Sequence, residues 1–174
     1  MTSVVDVRTL NGADAGALSA AFAAIGWNKP TEQFLRYAAD ADAGTRVNWV
    51  ATVDGEIAGY VTLRWDNPDH PDIASRRIPE IQDLNVLPQF RRRGIASAML
   101  DRAEAAAAQR SSVVGIGVGL HPGYNAAQVL YVKRGYVPDG FGVTYGDRFV
   151  QEGETVPFDD SLGLHFTKDL SKEV

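Results

Sequence analysis

The sequence predicts a mixed α/β domain, and three stretches carry the prediction. Residues 46–53 alternate apolar and polar positions, Asp54-Gly55 follows, and residues 56–65 return as a matching strand, the pattern of a hairpin closed by a type I′ turn. Residues 80–86 read as a strand that passes through a proline turn at 87–93 into a helix over 94–110. Residues 113–120 then read as a strand, followed by a short helix over 125–134. A hairpin followed by strand–helix alternation describes one mixed sheet with helices packed on it.

The remaining elements fit around these. Residues 4–8 form a short β-like segment, and residues 13–24 are alanine-rich and helix-favouring. Leu18, Phe22 and Ile25 share an apolar face there, and Gly26 ends the helix. A second helix is predicted over 31–40, with Thr31 as its N-cap and Phe34, Leu35 and Ala38 turned inward. Residues 65–72 form a loop by their prolines and turn formers, with Asp66, Asp69 and Asp72 read as solvated charges, and Arg76 and Arg77 follow. In the helix from Gly94, the positions of Ile95, Met99, Leu100, Ala103, Ala106 and Ala107 make the buried stripe, with Asp101, Arg102, Glu104 and Gln109 towards solvent. Gly115, Gly117 and Gly119 share one face of their strand, so either a ligand or a closely packed helix approaches the backbone there. After the turn at 121–124, Asn125 is expected to cap the short helix and Gly135 to end it. Strand pieces at 136–137 and 142–145 flank Pro138-Asp139-Gly140, and residues 162–168 form the last strand. No repeat or linker divides the 174 residues, which are expected to form a single domain.

Bulk properties narrow the function. The balance of 17 basic and 22 acidic residues gives a net charge of −5, which disfavours general nucleic-acid binding and mildly favours a cationic or amine partner. The chain has no cysteine, which removes disulfides, thiolate metal sites and cysteine nucleophiles. No metal site is expected, since His70 and His165 have no supporting spacing. No apolar run approaches membrane-spanning length and residues 1–8 lack a signal-peptide pattern, so the expected location is cytoplasmic. A homodimer is compatible with all of this.

The stretch with the most chemistry is 80–110. A strand that feeds a helix N-terminus through a short turn offers free N–H groups and the positive end of the helix dipole, which suits an anion. Gly94 permits close approach to the backbone, and Arg91, Arg92 and Arg93 add charge-assisted hydrogen bonds. The expected ligand is the pyrophosphate of a large cofactor. Gly115-Ile-Gly-Val-Gly is a poor dinucleotide fingerprint, because it lies within a strand instead of opening a helix.

Residues 84–96 resemble the acyl-CoA-binding motif of the GNAT acetyltransferase superfamily, whose pattern is Arg or Gln, two residues, Gly, one residue, then Gly or Ala. Residues 125–136, Asn-Ala-Ala-Gln-Val-Leu-Tyr-Val-Lys-Arg-Gly-Tyr, resemble its second motif, and the predicted element order resembles the family's topology. The resemblance implies a central, mostly antiparallel, twisted sheet with helices on both faces, and acetyl-CoA as the acyl donor. It implies that Arg91, Arg92, Arg93, Gly94, Ile95, Ala96 and Ser97 bind the pyrophosphate. Leu84, Asn85 and Val86 would pair with the pantetheine arm, with the N–H of Val86 or Leu84 polarising the thioester carbonyl. Asn125 would bond the arm, and Tyr131 would lie near the sulfur.

Acyl transfer to an amine needs a neutral amine, a stabilised oxyanion and a proton for the leaving thiolate. Without cysteine, direct attack in a ternary complex is the economical route, and a tyrosine is a sensible acid because phenol and thiol pKa values lie within about two units. Tyr131 is therefore the candidate acid, against the plainer reading of a core tyrosine. Glu80, where many family members carry a glutamate base, is the first candidate base, and Asp83 points to the other strand face. His121 is the second, against its plainer role as a turn histidine. The expected activity is N-acetyl transfer to a small-molecule or peptide amine, and the alternative is a non-catalytic acyl-CoA-binding module. The acceptor pocket is expected around residues 22–37, 66–78 and 143–160, with no residue there that specifies an acceptor.

Overall fold

The computed structural model describes residues 4–66 and 77–171, and these form two compact units that share one strand and one helix. The first comprises Met1–Arg64 with Gln82–Ala106, and the second Trp65–Ile81 with Ala107–Val174. Asp69, His70, Asp72 and Arg76 lie outside the described residues.

In the first unit, strand β1 (Val5–Thr9) pairs antiparallel with β2 (Arg46–Val53), which pairs antiparallel with β3 (Glu56–Arg64), itself beside β4 (Glu80–Val86). The β2–β3 hairpin turns as expected, with Asp54 and Gly55 both at positive φ, the requirement of a type I′ turn. Helix α1 (Ala15–Ala23) buries Ala15, Leu18 and Phe22, and α2 (Thr31–Asp42) buries Phe34 and Tyr37. Their aromatic rings meet the fully buried Tyr60 of β3 edge-on, Phe22 at 5.4 Å and Phe34 at 5.0 Å between centroids. Two expectations are corrected in α2. Leu35 is 48% exposed, because the buried stripe steps three residues from Phe34 to Tyr37 and leaves Leu35 to one side. Thr31 is the first helical residue; the N-cap falls on Pro30, without a side-chain bond.

Helix α3 (Ile95–Ala108) buries Ile95, Met99, Leu100, Ala103 and Ala107 as the spacing predicts. Glu104 is also buried, at 5% exposure, where the sequence predicts a position towards solvent. It stands four residues after Leu100 and three before Ala107, on the same face.

In the second unit, the first two residues of β4 pair in parallel with β5 (Val113–Gly119), Glu80 with Gly115 and Ile81 with Ile116. β5 pairs antiparallel with β8 (Leu162–Asp169), β8 with β6 (Val137–Tyr145), and β6 with the short β7 (Arg148–Phe149). β6 is one strand where two pieces were expected. It absorbs Pro138-Asp139-Gly140 as a register shift against β8 between Pro138 and Val143, with Gly140 and Gly142 at positive φ. Helix α4 (Asn125–Lys133) follows β5 and ends at Gly135, φ +89°. Its N-cap position belongs to Tyr124, with no side-chain bond, so Asn125 is not the cap but an exposed first residue. The sheet is thus mostly antiparallel, with α/β connections as expected.

Candidate active site

The turn from β4 to α3 presents open backbone N–H groups of the kind that can hold an anion. Residues 91–94 are exposed, and Arg92 and Gly94 stand at φ +62° and +77° while Arg93 keeps an ordinary negative φ. Alternation of left- and right-handed residues brings successive N–H groups to one concave side. Gly94 is the last residue before α3, and its carbonyl accepts the first helical bond, from Ala98 at 2.9 Å. The N–H groups of the first turn of this 14-residue helix therefore have no carbonyl above them. Of the three arginines, Arg91 turns back to donate to the Val86 carbonyl at 3.1 Å and lies over Trp27, while Arg93 lies over Phe90. Arg92 makes no ion pair or side-chain hydrogen bond among the described residues. The cradle, its charge and its exposure fit a diphosphate.

The half-buried residues Leu84, Asn85 and Val86 lie immediately before that turn, and Asp83 precedes them at φ +52°. A non-glycine residue in this region costs roughly 1–3 kcal/mol and persists only where neighbours hold it. Here the holders are clear. Tyr37 donates its hydroxyl to Oδ2 of Asp83, Gln33 donates to Tyr37 at 3.1 Å and to Tyr60 at 3.3 Å, and Asn85 donates to the Asp83 carbonyl at 3.1 Å. Lys29 Nζ lies 3.9 Å from Oδ1 of Asp83. Burial, and then the Asp83 charge, push the Tyr37 and Tyr60 phenols well above the usual tyrosine pKa, so both stay protonated.

In the second unit, Glu80 is 3% exposed and its Oε1 lies 3.4 Å from His165 Nε2. These side chains come from β4 and β8, on either side of β5, and the glycines of β5 are what let them meet. Gly117 is paired directly with His165, and a Cβ on it would stand 2.9 Å from His165 Nε2. A Cβ on Gly119 would overlap the ring of Tyr124. The glycine face thus accommodates the chain's own His165 and Tyr124 rings, neither of which the glycine pattern identified.

Tyr131 on α4 is 4% exposed, with its ring 5.9 Å from that of Tyr136. Burial, with a smaller contribution from Tyr124, raises its pKa above the ordinary phenol value. Its hydroxyl makes no side-chain hydrogen bond among the described residues, and it is not one of the fully buried polar atoms that lack a partner. His121 is braced at both nitrogens. Nδ1 accepts from the Gly123 N–H at 3.1 Å, which makes Nε2 the protonated nitrogen of the neutral ring, and Nε2 bonds Asp160 at 2.7 Å. That geometry pins the 121–124 turn. No cluster of three metal-ligating side chains and no helix long and apolar enough to cross a membrane occurs among the described residues.

The chain matches the Acetyltransferase (GNAT) family over residues 17–136. No curated protein sequence matches it. Among solved structures, it is similar to an N-acetyltransferase of Staphylococcus aureus Mu50, at 21% identity and a TM-score of 0.73, over 97% of this chain and 99% of that one. The yncA protein of Salmonella typhimurium, solved with its cofactor acetyl-CoA, is similar at 16% identity and a TM-score of 0.70, over 99% and 97%. A chimera of the Vibrio cholerae spermidine N-acetyltransferase SpeG and hSSAT is similar at 16% identity and a TM-score of 0.68, over 97% and 96%. The family match covers more than half of the chain and includes the 91–94 turn and Tyr131, so the chain belongs to the GNAT acetyltransferase family.

Proposed function

We propose that the chain is an acetyl-CoA-dependent N-acetyltransferase that acts on a primary amine by direct attack in a ternary complex, the amine being carried by a small molecule or a peptide. The observation that carries this reading is the exposed 91–94 turn, left-handed at Arg92 and Gly94 and opening into the first turn of α3. The structure in which yncA holds acetyl-CoA supports the donor's identity. Acetyl-CoA, when bound, supplies an acyl group already activated as a thioester.

This chain's residues would then do the following. The N–H groups of residues 91–97 hold the diphosphate, with Arg92 adding charge. The backbone of Leu84, Asn85 and Val86 aligns the pantetheine arm, and Asn125 bonds it. Tyr131 holds its proton on Oη at ordinary pH, as an unperturbed phenol also would, and burial only strengthens that hold; the protonated form is the one an acid for the thiolate requires. Glu80, held by His165, is the candidate base. His121 braces its turn against Asp160. No cysteine is present to carry an acyl group, so alignment of the amine supplies much of the rate. A cytoplasmic location belongs to the same reading.

Thiol release from acetyl-CoA, followed with and without a panel of amines, is the test. Release that depends on the amine is expected. Stoichiometric acetyl-CoA binding with no release for any amine would leave only an acyl-CoA-binding module.

A further inference from the structure

The geometry points to Asp83 as the residue that holds the acceptor's ammonium, with Lys29 occupying that place in the free chain. The acceptor class this selects is a primary alkylammonium on an unbranched aliphatic stem, of which Lys29 is the built-in example. The inference rests on the N-acetyltransferase reading and adds the acceptor side to it.

Four observations converge within the first unit. Asp83 directly precedes Leu84, the first residue assigned to the pantetheine arm, and stands one residue from Leu84 and three from Val86, the two candidates for the thioester-polarising N–H. Its two oxygens are unlike: Oδ2 takes the Tyr37 hydroxyl, whereas Oδ1 faces Lys29 Nζ at 3.9 Å, which is ion-pair range but beyond hydrogen-bond length. The second cationic preference is aromatic, since the same ammonium lies 5.9 Å from the centre of the Tyr60 ring. Finally, the Asp83 and Lys29 side chains retain 31% and 23% exposure, so the place is reachable from solvent. The left-handed backbone at Asp83, fastened by Tyr37, Gln33 and Asn85, aims the carboxylate; a loose lysine neighbour would not by itself require that strain.

An occupied carboxylate binds an incoming ammonium only after Lys29 swings away, so Lys29 competes with the acceptor. An exposed ion pair of this kind contributes at most about 1 kcal/mol, which corresponds to about a fivefold effect on apparent affinity. Glu80 does not fill this role, being 3% exposed and set against His165.

The test is titration calorimetry of 1,5-diaminopentane into the CoA-bound full chain, for the wild type and for Lys29→Met, Asp83→Asn and Tyr37→Phe. Lys29→Met should bind the diamine about three- to fivefold more tightly. Asp83→Asn should bind it at least about tenfold more weakly, since removing one partner of a close charge pair costs more than an exposed pair contributes. Tyr37→Phe removes a hydroxyl that aims the carboxylate while keeping its charge, and should bind the diamine about threefold more weakly than the wild type; Lys29→Met, a change at a partly exposed side chain, decides the inference even where a change in the Asp83 cluster disturbs folding. Unchanged or weaker binding by Lys29→Met, or an Asp83→Asn affinity equal to the wild type, would overturn the inference, as would no binding by any variant. Thiol release from acetyl-CoA, measured on CoA-free preparations of the same proteins with the diamine as acceptor, tests the other reading separately: diamine binding in this pattern without release would sink the acetyltransferase and leave the ammonium site.

Discussion

A Cβ at position 117 has a calculable consequence. Gly117→Ala would place that carbon 2.9 Å from His165 Nε2 and 3.2 Å from its Cδ2, against about 3.5 Å or more for unstrained contact. The imidazole must retreat by roughly half an ångström, and the same nitrogen lies 3.4 Å from Glu80. Overpacking of this kind costs about 1–3 kcal/mol, and a ring that can turn puts the cost near the lower end. Replacing glycine within a strand otherwise gains about 0.5–1 kcal/mol. In a His165→Ala background the obstacle is gone and only the gain remains. The two substitutions should therefore couple by about 1–2 kcal/mol, Gly117→Ala destabilising the wild type or leaving it level but stabilising His165→Ala. Urea unfolding of the four proteins measures this, with melting shifts of roughly 2–4 °C per kcal/mol as a second readout for a chain of this size. Additivity within about 0.5 kcal/mol would show that the glycine does not make room for the imidazole.

Other perturbations probe the remaining parts. Tyr131→Phe should lower kcat by about 100-fold with little change in acetyl-CoA affinity, by steady-state kinetics and calorimetry, and an unchanged kcat removes Tyr131 as the acid. Gly94→Ala forces a side chain onto φ +77°, at about 1–2 kcal/mol, and should weaken acetyl-CoA binding by about tenfold as the turn relaxes. Equal binding by calorimetry would detach this turn from the diphosphate. Asp14 accepts both guanidinium nitrogens of Arg8, at 2.9 and 2.7 Å, and the Asn11 N–H at 3.0 Å, and the Arg8 bond foremost holds its carboxyl below the usual range. A depressed carboxylate stabilises the fold above its unfolded pKa of about 3.9, and that stability is lost as pH falls through the lower folded value. Asp14→Asn should therefore cost about 1–2 kcal/mol near neutral pH, with the gap to the wild type closing below about pH 4 in denaturation curves. A gap that persists at low pH would mean that packing, not charge, makes the difference.

Local signals in the sequence proved sufficient for the hairpin, the α3 stripe and the strand-to-helix turn at 87–94, because each depends on spacing within one or two elements. Asp54-Gly55 needs only its own φ angles, and the Arg-x-x-Gly-x-Ala run needs only the strand before it and the helix after it. What escaped depends on pairings far apart in the chain. His165 meets Glu80 only because β8 lies across β5 from β4 and Gly117 has no side chain, a fact of register that period-two reasoning cannot supply. The Tyr37, Lys29 and Asp83 cluster joins residues up to 54 positions apart through a left-handed backbone at Asp83, and nothing in an aspartate between Gln82 and Leu84 announces that conformation. The charge of Glu104 predicts a solvent position although its helical position faces inward, and the residue type of Asn125 predicts a cap although a 3-10 turn over Pro122–Tyr124 places the cap one residue earlier.

The central claim is that an acetyl group passes from acetyl-CoA to an amine on this chain. Following acetyl-CoA labelled with 13C in its acetyl group by NMR, in the presence of 1,5-diaminopentane or a lysine-containing peptide, measures it directly. A labelled amide that forms only when chain and amine are both present is the predicted result. A thioester signal that persists with one acetyl-CoA bound per chain, or is lost only to free acetate, would contradict it.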